Sequence, residues 1–257
     1  MKHGLLSLIL AAVSLWPMAG RADLTLSGYS AVGAFGMPMS SQERIYIHDN
    51  TVRRDFVDRG RYFSQLFDLA KHQVAVIDHA SRLIQIHDLR NLQATTEVSA
   101  PANSMKMTME KTGQTRPMRN WNCEAYNLNA SIPTRLGNEE TVFHLKGHIW
   151  LASDTPEQTA VSSLIKFTRQ ADFFMGIPAV AKVTPAQSRL FSEIIRKLAP
   201  KGLPCSCELE TSYEGNGPMA NLARRMPTRL NIAFQDFSGE PIRDDMFTLP
   251  AGYTIRQ

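Results

Sequence analysis

Apolar and polar residues alternate with a period of two along most of this chain. LTLSGYSAVGAF (Leu24–Phe35) opens with apolar side chains at every second place, and ERIYIHD puts Ile45 and Ile47 on one face. TVRRDFV, QVAVIDH and RLIQIHDL follow with short polar turns between them. In SMKMTMEKT, Met105, Met107 and Met109 alternate with Lys106, Thr108 and Glu110. NWNCEAYNL, ETVFHLKGHIWLAS, LPCSCELET, TRLNIAFQDFS and a short MFTLPAGYT continue the pattern. A period of two places alternate side chains on opposite faces of an extended strand. Short turns between such runs predict an antiparallel meander and argue against β-α-β units with a parallel sheet.

Two stretches break the alternation and begin alike, with Thr155-Pro156 and Thr184-Pro185. Thr at a helix N-cap accepts from free first-turn N–H groups, and Pro at the first helical position has no N–H to leave unpaired. The first predicted helix carries Val161, Leu164, Ile165 and Ala171, and the second Leu190, Phe191, Ile194, Ile195 and Leu198. Each has one apolar stripe and needs a surface to cover. Arg196 and Lys197 suit the last turn of the second, and Pro200 and Gly202 end it. Gly215-Asn216-Gly217-Pro218 reads as a turn between strands.

Residues 1–22 stand apart. Lys2 and His3 precede the apolar run from Leu5 to Trp16, and Gly20 and Ala22 supply small residues before Asp23. The run is well short of the ~20 residues that cross a bilayer as a helix. This is the pattern of a secretory signal cleaved near Ala22, with one domain over residues 23–257. The formal charge of +4 falls by two when Lys2 and Arg21 leave. The remaining basic residues are scattered, apart from Arg224, Arg225 and Arg229, which gives no nucleic-acid stripe.

Export changes the reading of the three cysteines, because disulfides persist in oxidising compartments. Cys205 and Cys207 are two apart, so in a regular strand they share a face, with Leu203 and Leu209 beside them. Parallel side chains at that spacing do not bond each other. A disulfide from Cys123 to Cys205 or to Cys207 is therefore expected, leaving the third thiol buried.

ERIYIHDNTVRRDF followed by QVAVIDHASRLIQIHDL resembles the opening of bacterial envelope proteins with the LolA-like fold, relatives of the outer-membrane lipoprotein carriers. TRPMRNWNCEAYNLN, the GHIWLASD strand and the closing MFTLPAGYT are similar to later parts of a poorly characterised exported group of that superfamily. The resemblance implies a curved antiparallel half-barrel, mainly β with α, whose two helices cover the concave face, and a periplasmic location. In the carriers that cavity holds acyl chains. No catalytic residue is transferred, and no position here matches the residues by which a carrier releases lipid.

Three functions follow as expectations. The first is non-catalytic binding of an apolar ligand, a lipid or a lipidated protein, with contact to a membrane surface. Ile45, Ile47, Met105, Met107, Met109 and Phe143 would line the cavity, and Phe191 and Ile195 would form its lid. Methionine adapts to chains of varied shape. The second is a protein-binding envelope-stress or assembly factor that uses the concave face. The third is soft-metal binding: Met37, Met39, the Met105–Met109 stripe and Cys205/Cys207 are donors that suit Cu(I), and His48, His72, His79, His87, His144 and His148 could add to them. Against it, a methionine stripe of period two is also ordinary core lining. No cofactor is implied. There is no GxSxG, HExxH, GxxxxGK[ST] or GxGxxG, and Glu139-Glu140 and Asp244-Asp245 diverge in an extended chain, so no enzyme class is indicated.

Overall fold

Alternation becomes registered pairs across neighbouring strands. Leu24 and Leu26 of β1 (Asp23–Ala34) lie opposite Ile47 and Ile45 of β2 (Met37–His48). Ile47 faces Val52 of β3 (Thr51–Asp58), Val52 faces Phe67 of β4 (Arg61–Asp68), and Phe67 faces Val74 of β5 (Gln73–Asp78). One face is thus an unbroken apolar row, which fixes the register, since a slip of one residue would turn the whole row to the other face. The computed structural model describes residues 23–34, 37–58, 60–90, 104–118, 121–153, 155, 185–225 and 227–256.

The remaining elements are β6 (Leu83–Asp88), β7 (Lys106–Met118), β8 (Trp121–Leu136), β9 (Glu139–Ala152), helix α1 (Pro185–Leu198), β10 (Leu203–Glu214), helix α2 (Pro218–Arg224), β11 (Thr228–Ser238), a 3-10 turn (Asp244–Phe247) and β12 (Thr254–Arg256). The strands form one long, open, curved sheet of order β12-β6-β5-β4-β3-β2-β1-β11-β10-β9-β8-β7. All neighbouring pairs are antiparallel except β12 on β6, which is parallel. The expected mainly-β, curved antiparallel sheet is present. The second predicted helix is α1, with Arg196 and Lys197 in its last turn. The first predicted helix, with Val161, Leu164, Ile165 and Ala171, lies outside the described residues, as does the signal-like segment.

The centre of the sheet splits. β10 and β11 pair only between Ser206–Thr211 and Ala233–Thr228. Beyond that, Leu203 and Pro204 bond to β9 alone, and Phe234 to Ser238 bond to β1 alone. A bulge marks each departing strand, between Pro204 and Ser206 and opposite Ser27/Gly28. A bulge adds one residue to one strand and bends it. At Gly28 a Cβ would meet the Ala233 carbonyl oxygen at 2.2 Å, so glycine is required for the approach.

The roll that follows can be read from two contacts. Trp121 of β8 stacks on Phe237 of β11 with ring centroids 3.6 Å apart, although two strands lie between them. Cys123 of β8 is bonded to Cys205 of β10 across β9, with Cα atoms 6.5 Å apart. Next-but-one strands of a flat sheet would be ~9.5 Å apart. One core cluster therefore joins both halves of the sheet: Leu24, Leu26, Ile47, Val52, Phe67 and Val74 with Trp121, Cys123, Ala152, Leu203 and Cys205. A second, with Leu128, Ile132, Phe143, Leu145 and Ile149, lies against Leu190 and Ile194 of α1. Ile195, on the same helix, packs against the first cluster.

The bulge corrects the reading of the cysteines. Cys205 is the extra residue, so it and Cys207 no longer share a face. Cys205 joins the first cluster and the disulfide, whereas Cys207 packs against the second and stays reduced. Leu203 and Leu209 are divided in the same way. The GNGP stretch is also more than a turn, since it opens α2. Gly217 is the N-cap and makes no side-chain cap bond. Instead the Glu139 carboxylate, on β9, accepts from the N–H groups of Met219 at 3.1 Å and Ala220 at 3.3 Å.

Two stability outcomes follow. Cys123→Ser should cost about 2–4 kcal/mol in urea unfolding, because it frees a crosslink that closes a long loop. Thiol counting in denaturant should give one reactive thiol before reduction and three after it. Gln65 is fully buried with neither amide atom hydrogen-bonded. Gln65→Met removes that unsatisfied amide at nearly constant volume and should stabilise by about 1–2 kcal/mol in the same assay.

Candidate functional site

The face opposite the apolar row carries the open space. Ser27 and Tyr29 of β1 lie opposite Arg44 and Gln42 of β2, Arg44 opposite Asp55 of β3, and Val57 of β3 opposite Tyr62 of β4. With Gln235 and Asp236 of β11 they line a cavity of about 620 Å³. A second cavity, of about 520 Å³, adjoins it and shares Tyr29 and Gln235. Its walls include Ala31, Asn231, Ala233, Ser206 and Glu208, and Arg116 and Met118 reach in from β7. Together they make a groove across β3, β2, β1, β11 and β10, with Tyr29 at the junction. Each volume falls in the range of ordinary ligand sites.

The roll of the sheet brings Arg116 to the groove. Its guanidinium lies over the Trp150 ring, 4.1 Å from the centroid, and donates to Ser206 Oγ. Its Nε is buried without a hydrogen-bond partner. In the first cavity Tyr29, Val57 and Tyr62 are 40%, 37% and 43% exposed, three of the seven large hydrophobic side chains exposed among the described residues. Burial first, and then the nearby Asp55 carboxylate, hold the Tyr62 phenol above its ordinary value. The Tyr46 hydroxyl raises the Arg44 guanidinium. Both side chains keep their ordinary neutral-pH charge, so the groove offers two phenols, amides from Gln42, Asn231 and Gln235, and charges of both signs.

The residues expected to line an apolar cavity lie elsewhere. Ile47 belongs to the first core cluster, and Ile45 and Ile195 pack against it. Phe143 is in the second cluster, with Met105, Met107 and Met109 packed on it. None of these lines either cavity, and the structure divides them between two packed layers. The Phe191 side chain lies outside the described residues. Among the described residues no three His, Cys, Asp or Glu side chains converge as a metal site. His144 instead pairs with Glu214 at 3.0 Å, and the Met37 and Met39 side chains lie outside the described residues. The groove residues were missed in the sequence. Their one signal is phase, since Tyr29 and Tyr62 are aromatic at positions where the alternation demands the polar face.

Cys207 is not a reactive centre. Burial pushes its thiol up to about 12, while a bond with the Ile232 backbone works the other way and the Glu43 and Glu208 charges add to the rise. At about pH 8 the folded protein should react with a thiol reagent at least ~100-fold more slowly than the denatured chain. Equal rates would place this thiol at the surface.

No family model and no curated protein matches the chain. Among solved structures it is similar to PNGF-II in a C2 crystal form, at 9% identity and a TM-score of 0.35, over 91% of this chain. The chain spans 30% of the length of that protein. It is also similar to a domain from Vibrio parahaemolyticus described as an outer membrane lipoprotein-sorting protein, at 6% identity and a TM-score of 0.32, over 88% of each chain. Likenesses this slight carry no inference about ligand or activity.

Proposed function

We propose that this is an exported, non-catalytic binding protein that holds an amphiphilic ligand, a lipid or the lipidated end of a protein, on the Tyr29 groove. The observation that carries this reading is the convergence of Tyr29, Val57 and Tyr62 on one open cavity. Exposed apolar surface gathered in one place marks interaction sites, whereas scattered apolar residues do not. Each CH₂ that leaves water on such a surface is worth ~0.8 kcal/mol without any reacting group. Amides and charges around it would satisfy the polar part of the ligand. The Cys123–Cys205 bond supports export, because such crosslinks last where thiols are not kept reduced.

A second reading is a protein partner seated in the same groove. Its support is the alternation of Gln42, Asn231, Gln235, Arg44, Asp55 and Asp236 around the tyrosines, the polar rim that protein interfaces use.

Delipidated protein exposed to a membrane extract and then examined by native mass spectrometry separates the two. Lipid adducts that are lost when Tyr29→Ser and Tyr62→Ser are combined support the first reading. A protein adduct lost in the same variant selects the second. Adducts unchanged in the double variant, or none with the wild type, overturn the groove as the site.

A further inference from the structure

The groove carries its charges unevenly. In the first cavity Glu43, Asp55 and Asp236 stand against Arg44. Two of these carboxylates are already matched, Glu43 by Arg54 at 2.6 Å and Asp55 by Arg53 at 2.8 Å. In the second cavity the two charged side chains are Glu208, which is exposed, and Arg116, which is half-buried. Among the described residues no carboxylate comes within ion-pair distance of Arg116. A charge partly withdrawn from water and left without a counter-charge attracts an incoming ion more strongly than one in open solvent.

The nitrogens of Arg116 are unequally used. Nη2 donates one proton to Ser206 Oγ and keeps a second. Nε is buried and has no partner. Nη1 has no hydrogen-bond partner either, and it is not sealed from water. The Trp150 ring beneath the guanidinium and the Ser206 hydroxyl beside it fix the fork in place. The donors are therefore oriented before any ligand arrives, and little side-chain freedom is lost on binding.

We propose that Arg116 is the head-group anchor of the groove: it takes the oxyanion, a carboxylate or a phosphate, of an acidic amphiphile whose apolar tail runs past Tyr29 to Val57 and Tyr62. This rests on the reading of the groove as a lipid site, and adds to it the charge of the ligand and the direction in which it lies. Nη1 and the second proton of Nη2 form a fork that meets either oxyanion, and such charge-assisted bonds favour both over a neutral head. The reverse orientation would set the anion among Glu43, Asp55 and Asp236. Between Ser206 on β10 and Tyr62 on β4 lie five strand spacings, ~24 Å, a span that suits a long acyl chain and not a small anion.

Calorimetric titration of the delipidated protein tests it, with monooleoylglycerol, its phosphate ester, oleate and inorganic phosphate as ligands. The first two differ only in the charged head. The phosphate ester should bind about tenfold more tightly than monooleoylglycerol, and inorganic phosphate far more weakly than either. The comparison of oleate with the phosphate ester tells which oxyanion the anchor prefers. In the wild type the preference for the charged head should narrow as salt rises. Arg116→Gln should bring the two affinities together, whereas Arg229→Gln, at an exposed arginine outside both cavities, should keep them apart. Equal wild-type affinity for the charged and neutral lipids overturns the anchor and leaves the groove standing as a lipid site. So does a preference that survives Arg116→Gln, or inorganic phosphate that binds as tightly as the lipid. Binding of none of the lipids removes the lipid reading, and the anchor with it.

Discussion

The crosslink of β8 to β10 over the top of β9 is the constraint on which the remaining geometry rests. It can form only because the bulge at Cys205 releases β10 from β11 and lets the sheet roll. With the roll in place, Trp121 reaches Phe237 and Arg116 reaches Ser206. A flat sheet would separate those pairs by several strand widths. The first core cluster would then lose the contribution of β8–β10, and the second cavity would lose the wall that Arg116 and Met118 provide.

The strands were legible because a half-buried sheet needs alternation, and alternation is local. The Ile45/Ile47 and Met105/Met107/Met109 rows are visible in a few consecutive residues. What decided the outcome was not local. A bulge is one added residue with no composition of its own, so the shared face read for Cys205 and Cys207 was the regular-strand answer to an irregular strand. Helix α2 hid for a similar reason. Its cap is Glu139, 80 residues away from Met219, and the bare Gly217 leaves room for that carboxylate, which a Cβ there would have to push aside. The parallel β12 was invisible because three exposed residues carry no periodicity.

The site was less legible than the fold, and the reason is physical. An apolar row along a strand says that one face leaves water. It does not say whether side chains or a ligand take the water's place. Ile47 and Phe143 satisfy both descriptions in sequence, and at 3% and 1% exposure they are covered by their neighbours. The informative residues were those that broke the rule. Tyr29 and Tyr62 put aromatic surface on the polar face, and Gln65 puts an unbonded amide on the apolar one. Departures from patterning are where function or strain collects.

On the polar face the groove and the strap, the segment between β11 and β12, meet at Asp55. Through its alignment with Arg44 this carboxylate borders the first cavity, and through Ser64 it anchors the His79–Tyr253 chain under the strap. Arg53 reinforces the junction, since its Nε donates to Asp55 at 2.8 Å while its Nη1 holds the strap at Met246. Burial works against the Arg53 charge, but the Asp55 carboxylate outweighs it and raises the guanidinium's pKa. A side chain shared in this way couples its neighbours only if its position differs between two states. The Arg53–Asp55 pair thus ties the strap at Met246 to the groove wall, so displacing either would leave a charged group without its partner.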